Sequence, residues 1–392
     1  MTSQLRFGVF SAPFYGMHQN PTLGIRDVIN LVAALDEWGY DEAWLGEHRS
    51  GGMEIVGAPE ILIAAAAERT SRIKLGTGVT TLSYHHPLIV ADRMVFLDHL
   101  TRGRIMLGVG SGALPSDAWM MGLEVARQRQ MMEESLEAIV ALLKGEDPVS
   151  RKTDWFQLRD ARLQLRPYQQ PCFDIATTAV VSPSGPRLAG RFGIGMLSVA
   201  ATSPAGFNGL NGAWQIVEEQ AARFGTTPDR GSWRLVGPMH IAETEQQARE
   251  NVKYGLRKWI EYSKVAAAFG IITQDVNDLN FDATVDALNE AGWAVIGTPE
   301  MAIAQIERLV EQTGGCGAFL HFDHNWANRQ NTLYSYELFA REVIPHFRAD
   351  NQARQASLDW MTANKDAFHM EMSGARQSAA SQYNAEREAA AR

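Results

Sequence analysis

The sequence predicts an α/β fold, a single (β/α)8 TIM barrel in which one parallel sheet closes on itself. Two observations carry this expectation. Short β-prone runs alternate with helix-period segments in eight β-then-α steps along 392 residues, the number of steps that closes such a barrel. The helical segments also open on proline (Pro59, Pro87, Pro299) and stop at glycine (Gly39), the usual punctuation of helix ends. An open, doubly wound sheet shares this element order and differs only in strand order, which a sequence does not display.

Taken in order, Leu5 to Phe10 is the first run, and Leu23 to Trp38 follows as a helix. Asp41 to Gly46 is the second run, followed by a Gly-rich loop and an Ala-rich helix from Pro59 to Arg69. Ile73 to Val79 is the third, with the helix Pro87 to Leu100 behind it, and Arg104 to Gly110 is the fourth. The remaining runs are Phe173 to Val180, Gly193 to Val199, Trp233 to Ile241 and Gly317 to Phe322. Helical segments Gly185 to Arg191, Gly209 to Phe224, Glu245 to Val265 and Pro299 to Gln312 separate them. Two stretches fall outside this pattern. Asp154 to Pro167 alternates around Arg159-Asp160-Ala161 and reads as a hairpin inserted between the fourth and fifth steps. Gly270 to about Val295, before the eighth strand, reads as a second insertion. With no Pro-rich linker or repeat, residues 1–348 form one expected barrel domain, and 349–392 an Ala/Gln/Arg/Glu-rich helical or partly disordered tail.

A chain that is 45% apolar with a formal charge of −9 has ample core material and lacks the basic surface that holds nucleic acid or an anionic membrane. Cys172 and Cys316 are too few for a disulfide scaffold or a Cys-rich zinc site. Ile61 to Ala67 is far shorter than the ~20 residues of a membrane span. A cytoplasmic protein without leader or membrane anchor is expected.

Functional residues of a parallel barrel sit where strands end and βα loops begin. Glu47-His48 lies there: histidine titrates near neutrality, and a neighbouring carboxylate can orient it or tune its basicity. A loop histidine that caps a backbone carbonyl is the plainer reading. His85-His86-Pro87 point different ways on an extended chain and are poor joint metal ligands, better read as a loop holding a helix start. Gly108 to Gly112 resembles half of a dinucleotide-binding loop, but no helix opens directly from it, and a tight turn explains its glycines equally. Val181-Ser182-Pro183-Ser184-Gly185-Pro186 places two hydroxyls and a glycine before a helix, which suits a phosphate as well as a plain serine cap. His321, Asp323, His324 and Trp326 end the eighth run and read as a pocket wall, so no metal is expected.

Several motifs, in order, resemble the bacterial-luciferase-like flavin monooxygenases. They are Leu5-Arg6-Phe7-Gly8-Val9-Phe10, Trp44-Leu45-Gly46-Glu47-His48, Leu75-Gly76-Thr77-Gly78-Val79 and Gly103 to Gly110, together with the Ser182 segment and Ala189-Gly190-Arg191-Phe192-Gly193. Ser50-Gly51-Gly52, Tyr84 to Pro87, Gly112 to Asp117 and Leu235 to Thr244 are similar to the limonene 1,2-monooxygenase-type subgroup. The resemblance runs from the first strand to roughly Phe347. It implies reduced FMN delivered by a separate NAD(P)H-dependent flavin reductase, O2 as co-substrate, and transfer of one oxygen atom to an apolar small molecule by epoxidation or Baeyer–Villiger insertion. It assigns the active-site histidine to His48 and a non-proline cis peptide to Gly78–Val79. It puts the cofactor contacts at Glu47, Thr77, Gly78, Val79, Ser111, Val181, Ser182, Ser184 and Gly185, and it implies a homodimer.

Two positions depart from the luciferases themselves: Ser111 stands where they place an arginine for the flavin phosphate, and Val181 where they place an acid. Arg187 is the expected substitute, and the subgroup's use of reduced FAD keeps that cofactor open beside FMN. A dry pocket is also expected, because oxygen transfer from a flavin must be kept from water. Phe10, Phe14, Tyr15, Met17, Tyr84, Met106, Phe322 and Trp326 lie at or near strand ends, with Phe10 and Met106 the best candidates for ordinary packing. A deazaflavin (F420)-dependent dehydrogenase on the same barrel, and a non-catalytic barrel subunit, are the competing readings.

Overall fold

The computed structural model describes residues 4–266 and 280–391. Twelve strands occur among them: β1 (Arg6–Ser11), β2 (Glu42–Leu45), β3 (Lys74–Thr81), β4 (Ile105–Gly110), β5 (Val149–Lys152), β6 (Gln157–Ala161), β7 (Asp174–Ala179), β8 (Gly195–Ser198), β9 (Trp233–Gly237), β10 (Met239–Ile241), β11 (Val295–Gly297) and β12 (Ala318–Phe322). Eight of them close a parallel barrel in the order β1-β12-β9-β8-β7-β4-β3-β2. The closure is direct: Phe10 pairs with Phe322 on one side and with Trp44 on the other. Each of the eight expected runs supplies one barrel strand, and the open sheet is excluded.

Near-continuous apolar strands buried on both faces are what a parallel barrel requires, and β4 and β12 are buried along their whole length. The N-terminal ends of the strands enclose an ionic cluster. Arg234 on β9 donates to Glu42 on β2 from Nε (2.7 Å) and Nη2 (3.1 Å), and to Asp174 on β7 from Nη2 (3.0 Å). Arg6 Nε and Trp44 Nε1 complete the shell of Glu42 at 2.8 and 2.9 Å.

Three expected elements differ in detail. The run Trp233 to Ile241 is two strands, because Pro238 cannot donate to a ladder. β9 stays in the barrel, while β10 leaves it and pairs with β11 in a separate two-stranded sheet. The helix expected over Glu245 to Val265 is two, Glu245–Val252 and Leu256–Ala266. They break at Gly255, whose amide donates to the Trp326 carbonyl at 2.8 Å. The inserted hairpin exists, but earlier than expected: β5 pairs antiparallel with β6, and Trp155-Phe156 sits in its turn. There Thr153 bonds the Phe156 backbone (3.0 Å) and Trp155 Nε1 donates to Glu134 (2.8 Å), so the aromatics that suggested a strand anchor a loop. Of the second insertion, Gly270 to residue 279 lies outside the described residues, and the remainder contains the helix Phe281–Glu290 and β11. The helix Gln128–Lys144, which buries Met132, Leu136, Ile139 and Leu143 at helical spacing, is an addition to the expected elements.

The chain divides into two compact units, Met1–Ile344 and Pro345–Arg392. The second contains two consecutive helices, Gln352–Ala363 and Lys365–Ala390.

Candidate active site

The loop after β2 is fastened along its length. Gly46 N donates to the Ser11 carbonyl (2.8 Å), His48 N to the Val56 carbonyl (2.9 Å) and Tyr15 N to the Met53 carbonyl (2.8 Å), while Phe14 and Glu54 form an antiparallel bridge. Gly51 in this loop has φ +86, and any Cβ there would run into the hydroxyl of Tyr262, so glycine is required by both conformation and space.

His48 is set between two carboxylates. Its Nε2 lies 2.8 Å from Glu54 Oε2 and its Nδ1 3.5 Å from Asp117 Oδ2, both as ion pairs without an aligned hydrogen bond. All three side chains are largely or fully withdrawn from solvent. Burial alone would lower the histidine pKa, but the two carboxylates more than offset it and raise it to about 9. Asp117, in the first turn of the helix Pro115–Met120, accepts from Arg49 N (3.1 Å) and Ser50 Oγ (2.5 Å). Burial works against its charge, yet His48, Ser50 and the Arg49 amide hold its carboxyl below the usual range.

Glu47 is not the partner of its neighbour. It turns toward β3, where it accepts from Thr81 N (2.7 Å), faces His85 Nε2 (3.2 Å) and lies 3.5 Å from Arg49 Nη2. Adjacent residues on extended chain point opposite ways, which sends Glu47 to His85 and leaves His48 to partners distant in sequence. Glu54 did not stand out in the sequence, and Asp117 entered only as the last residue of the Gly112 to Asp117 motif, with no role assigned. As residue types they are a lone acid in a Gly-rich loop and an acid in a helix's first turn.

The peptide bond Gly78–Val79 is cis. The β3–β4 register shifts between Thr77 and Thr80, around this bond. Thr77 itself is fully buried, and its hydroxyl is used twice by β4, donating to Gly108 O (2.9 Å) and accepting from Gly108 N (3.1 Å).

β4 pairs directly with β7, so the loops following them adjoin. A cavity of about 710 Å³ lies there, lined by Ser111, Thr178, Ser184, Arg129 and Arg187 among others. The helix Ser184–Phe192 enters it with Pro183 at the cap and no side chain capping its amides. Ser182 Oγ lies 3.3 Å from Ser184 Oγ, and a Cβ on Gly185 would strike the Thr178 carbonyl. Glycine there lets the helix start press against β7. Val181 is exposed and is not among the residues lining the cavity. The cavity's acids are engaged, Glu133 and Glu137 with Arg191 and Arg151, and Glu134 with Trp155. Among the described residues, Arg129 and Arg187 have no acidic partner. Uncapped amides, two hydroxyls and two uncommitted guanidinium groups make a receptor for phosphate, so the donor set fits the phosphate end of a flavin.

The expected aromatic wall is partly assembled. Phe10, Phe14, Phe322 and Trp326 join Trp259 in one buried cluster, whereas Met17 is exposed. His321 and His324 are buried in aromatic packing, His324 stacked on Trp326 at 3.8 Å. Burial lowers both pKa values, that of His321 to about 3, so both are neutral; His324 lines a small cleft beside Phe14 and Tyr15, whereas His321 is packed among Tyr40, Phe319, Tyr336 and Phe339. No group of His, Cys, Asp and Glu able to hold a metal occurs among the described residues.

Comparison with known proteins identifies the family. Residues 5–316 match the family model described as luciferase-like monooxygenase. The chain is 47% identical to limonene 1,2-monooxygenase of Rhodococcus erythropolis, over 97% of this chain and 96% of that protein. It is 39% identical to 4-hydroxyprotoasukamycin monooxygenase of Streptomyces nodosus subsp. asukaensis, over 91% of this chain and 96% of that protein. The oxygenating constituent of 3,6-diketocamphane monooxygenase from Pseudomonas putida, a type II Baeyer–Villiger monooxygenase solved with FMN, superposes with a TM-score of 0.72 at 25% identity, covering 88% of this chain and 99% of that one.

Proposed function

Because the chain belongs to the luciferase-like monooxygenase family, we propose that this flavin-dependent monooxygenase is the oxygenating component of a two-component system. A separate NAD(P)H-dependent reductase supplies reduced flavin, and the substrate is a terpene-like, hydrophobic small molecule. The observation that carries the reading is the phosphate receptor at Ser184, Gly185, Arg129 and Arg187, at the same barrel end as the fastened loop of His48, with the loops after β3 and β4 between that loop and Ser184. When bound, the flavin supplies the oxygen-activating chemistry with O2 as co-substrate. The chain's part is to grip the phosphate, to keep water from the ring through the Phe14, Trp259, Phe322 and Trp326 cluster, and to hold a proton on His48. Ser111, Ser182 and Ser184 would offer hydroxyls to the phosphate, Gly78 and Val79 would support the ring, Thr77 ties them from β3 to Gly108 on β4, and Glu47 keeps the third strand's end in register. The apolar cluster favours a terpene-like substrate, as the name of the limonene-oxidising relative suggests.

Two uncommitted arginines can neutralise the diphosphate of FAD as well as the monophosphate of FMN. Anaerobic titration with each reduced flavin distinguishes them. Arg187→Ala and Arg129→Ala are expected to raise the Kd of the preferred flavin roughly tenfold each, the value of about one charge-assisted hydrogen bond. Oxygen uptake coupled to oxidation of a hydrophobic substrate is the expected activity. Turnover without oxygen uptake would point to a deazaflavin-dependent dehydrogenase, and absence of flavin binding would point to a non-catalytic subunit.

The helices Pro59–Ala67 and Pro87–Thr101 expose Ile61, Phe96 and Leu100 around an apolar cleft of about 630 Å³. Apolar surface of this kind marks a protein contact, and the reading is a homodimer formed through this face. Phe96→Glu is expected to halve the mass measured by sedimentation equilibrium. An unchanged mass would place the contact elsewhere. No helix of the described residues is long and apolar enough to cross a membrane.

A further inference from the structure

A neutral imidazole carries one N–H and one lone pair, whereas an imidazolium carries two N–H groups and no acceptor. The surroundings of His48 suit only the second. Glu54 Oε2 faces Nε2 at 2.8 Å and Asp117 Oδ2 faces Nδ1 at 3.5 Å, so either neutral tautomer would point a lone pair at a carboxylate.

The two acids are themselves constrained. Glu54 is bridged through its backbone to Phe14, and Asp117 is held at Oδ1 by Arg49 N and Ser50 Oγ. Every element packed on the ring adds to the same balance. The helix Leu256–Ala266 brings Tyr262, whose buried hydroxyl has no hydrogen-bond partner, over Gly51. Burial, with Glu54 and Asp117 nearby, pushes that phenol up, so it stays neutral. From the β3 side come Glu47, His85 and Arg49, which are paired among themselves. The nearest charges to His48 are therefore both negative.

We propose that Glu54 and Asp117 are positioning residues that hold His48 doubly protonated, so that it serves the reaction as a proton or hydrogen-bond donor and not as a base. The proposal rests on His48 being the catalytic group of the reading above. Loss of its proton leaves a lone pair against a carboxylate, which favours the return of that proton.

The test is a pH titration of the full-length protein, labelled with ¹⁵N-histidine, with no flavin present. In the wild type both ring nitrogens of His48 stay protonated well above neutrality, with a midpoint near 9. Glu54→Gln and Asp117→Asn each lower its proton affinity at least tenfold, Glu54→Asp restores part of the loss, and the double variant falls to or below the ordinary value of about 6.5, because burial then acts unopposed. A wild-type ring that titrates at or below pH 7 overturns the proposal, even if the variants fail to fold. So does a midpoint that neither variant moves. Because the titration needs no flavin, failure of the oxygenase reading leaves this result intact, and the two are separable. In an assay supplied with reduced flavin, the alkaline limb of kcat/KM moves down in Glu54→Gln together with the His48 midpoint. A lower rate with an unmoved limb would mean a merely structural glutamate and would overturn the proposal.

Discussion

Replacing His48 with alanine is expected to lower substrate oxidation by roughly 10²- to 10⁴-fold, the usual value of a positioned proton donor. The phosphate receptor lies in a separate loop set, so the Kd for reduced flavin should change far less than turnover. The variant also leaves Glu54 and Asp117 buried without the cation between them. The Asp117 carboxyl, which His48 helps to hold below the usual range, should therefore rise in this variant. His48→Gln keeps a donor but not the charge, and its activity should fall between wild type and alanine. Single-turnover product yield with excess reduced flavin checks the assignment. Equal yields from wild type and His48→Ala would remove His48 from the chemistry.

The largest loss of stability is expected from Arg234→Ala. Arg234 is fully buried and is the common partner of Glu42 and Asp174. Breaking a buried pair from one side costs about 3–5 kcal/mol because the other charge is stranded. Arg6 still reaches Glu42 and softens the loss. Chemical denaturation should show the drop, with the slope unchanged. The pH dependence has a definite sign. Burial alone would raise the Glu42 pKa, but Arg234 and Arg6 bring it down to about 2, below its unfolded value. Its contribution to stability is thus complete above about pH 4.5 and is lost as pH falls toward 2. In Arg234→Ala that acid limb should begin at higher pH. A variant as stable as wild type, with the same acid limb, would show that the ionic cluster contributes specificity and not stability.

Much of the fold was legible because barrel strands are buried on both faces and so appear as unbroken apolar runs. β4 and β12 are examples. Where a run ended was harder to read: Pro238 divides what looks like one strand, and only the ladder partners reveal that β10 pairs outside the barrel. Trp155 and Phe156 mimicked strand alternation while serving a turn. The site divides in the same way. His48 and the Ser184 turn were visible as residue types at strand ends. Their partners Glu54, Asp117 and Arg129 were not, because each reaches the site through tertiary approach and leaves no spacing in the sequence. Glu47, next to His48 in the chain, turned out to serve His85.

The closing pair β1–β12 has a bearing on how the protein is made. Its two strands stand at opposite ends of the barrel sequence, and the bond from Ser11 to Asp323 spans nearly the whole of it. At ribosomal speeds of about 5–20 residues per second, tens of seconds separate the appearance of one strand from that of its mate. Throughout that interval β1 has a neighbour only on its β2 side, and its other edge offers unpaired amides and carbonyls to whatever approaches. Contacts of such long range also slow the search for the native state. The nascent barrel should thus depend on chaperone protection until β12 emerges. Low temperature or slow expression should raise the soluble yield more than any stabilising change at the ring's first four strands.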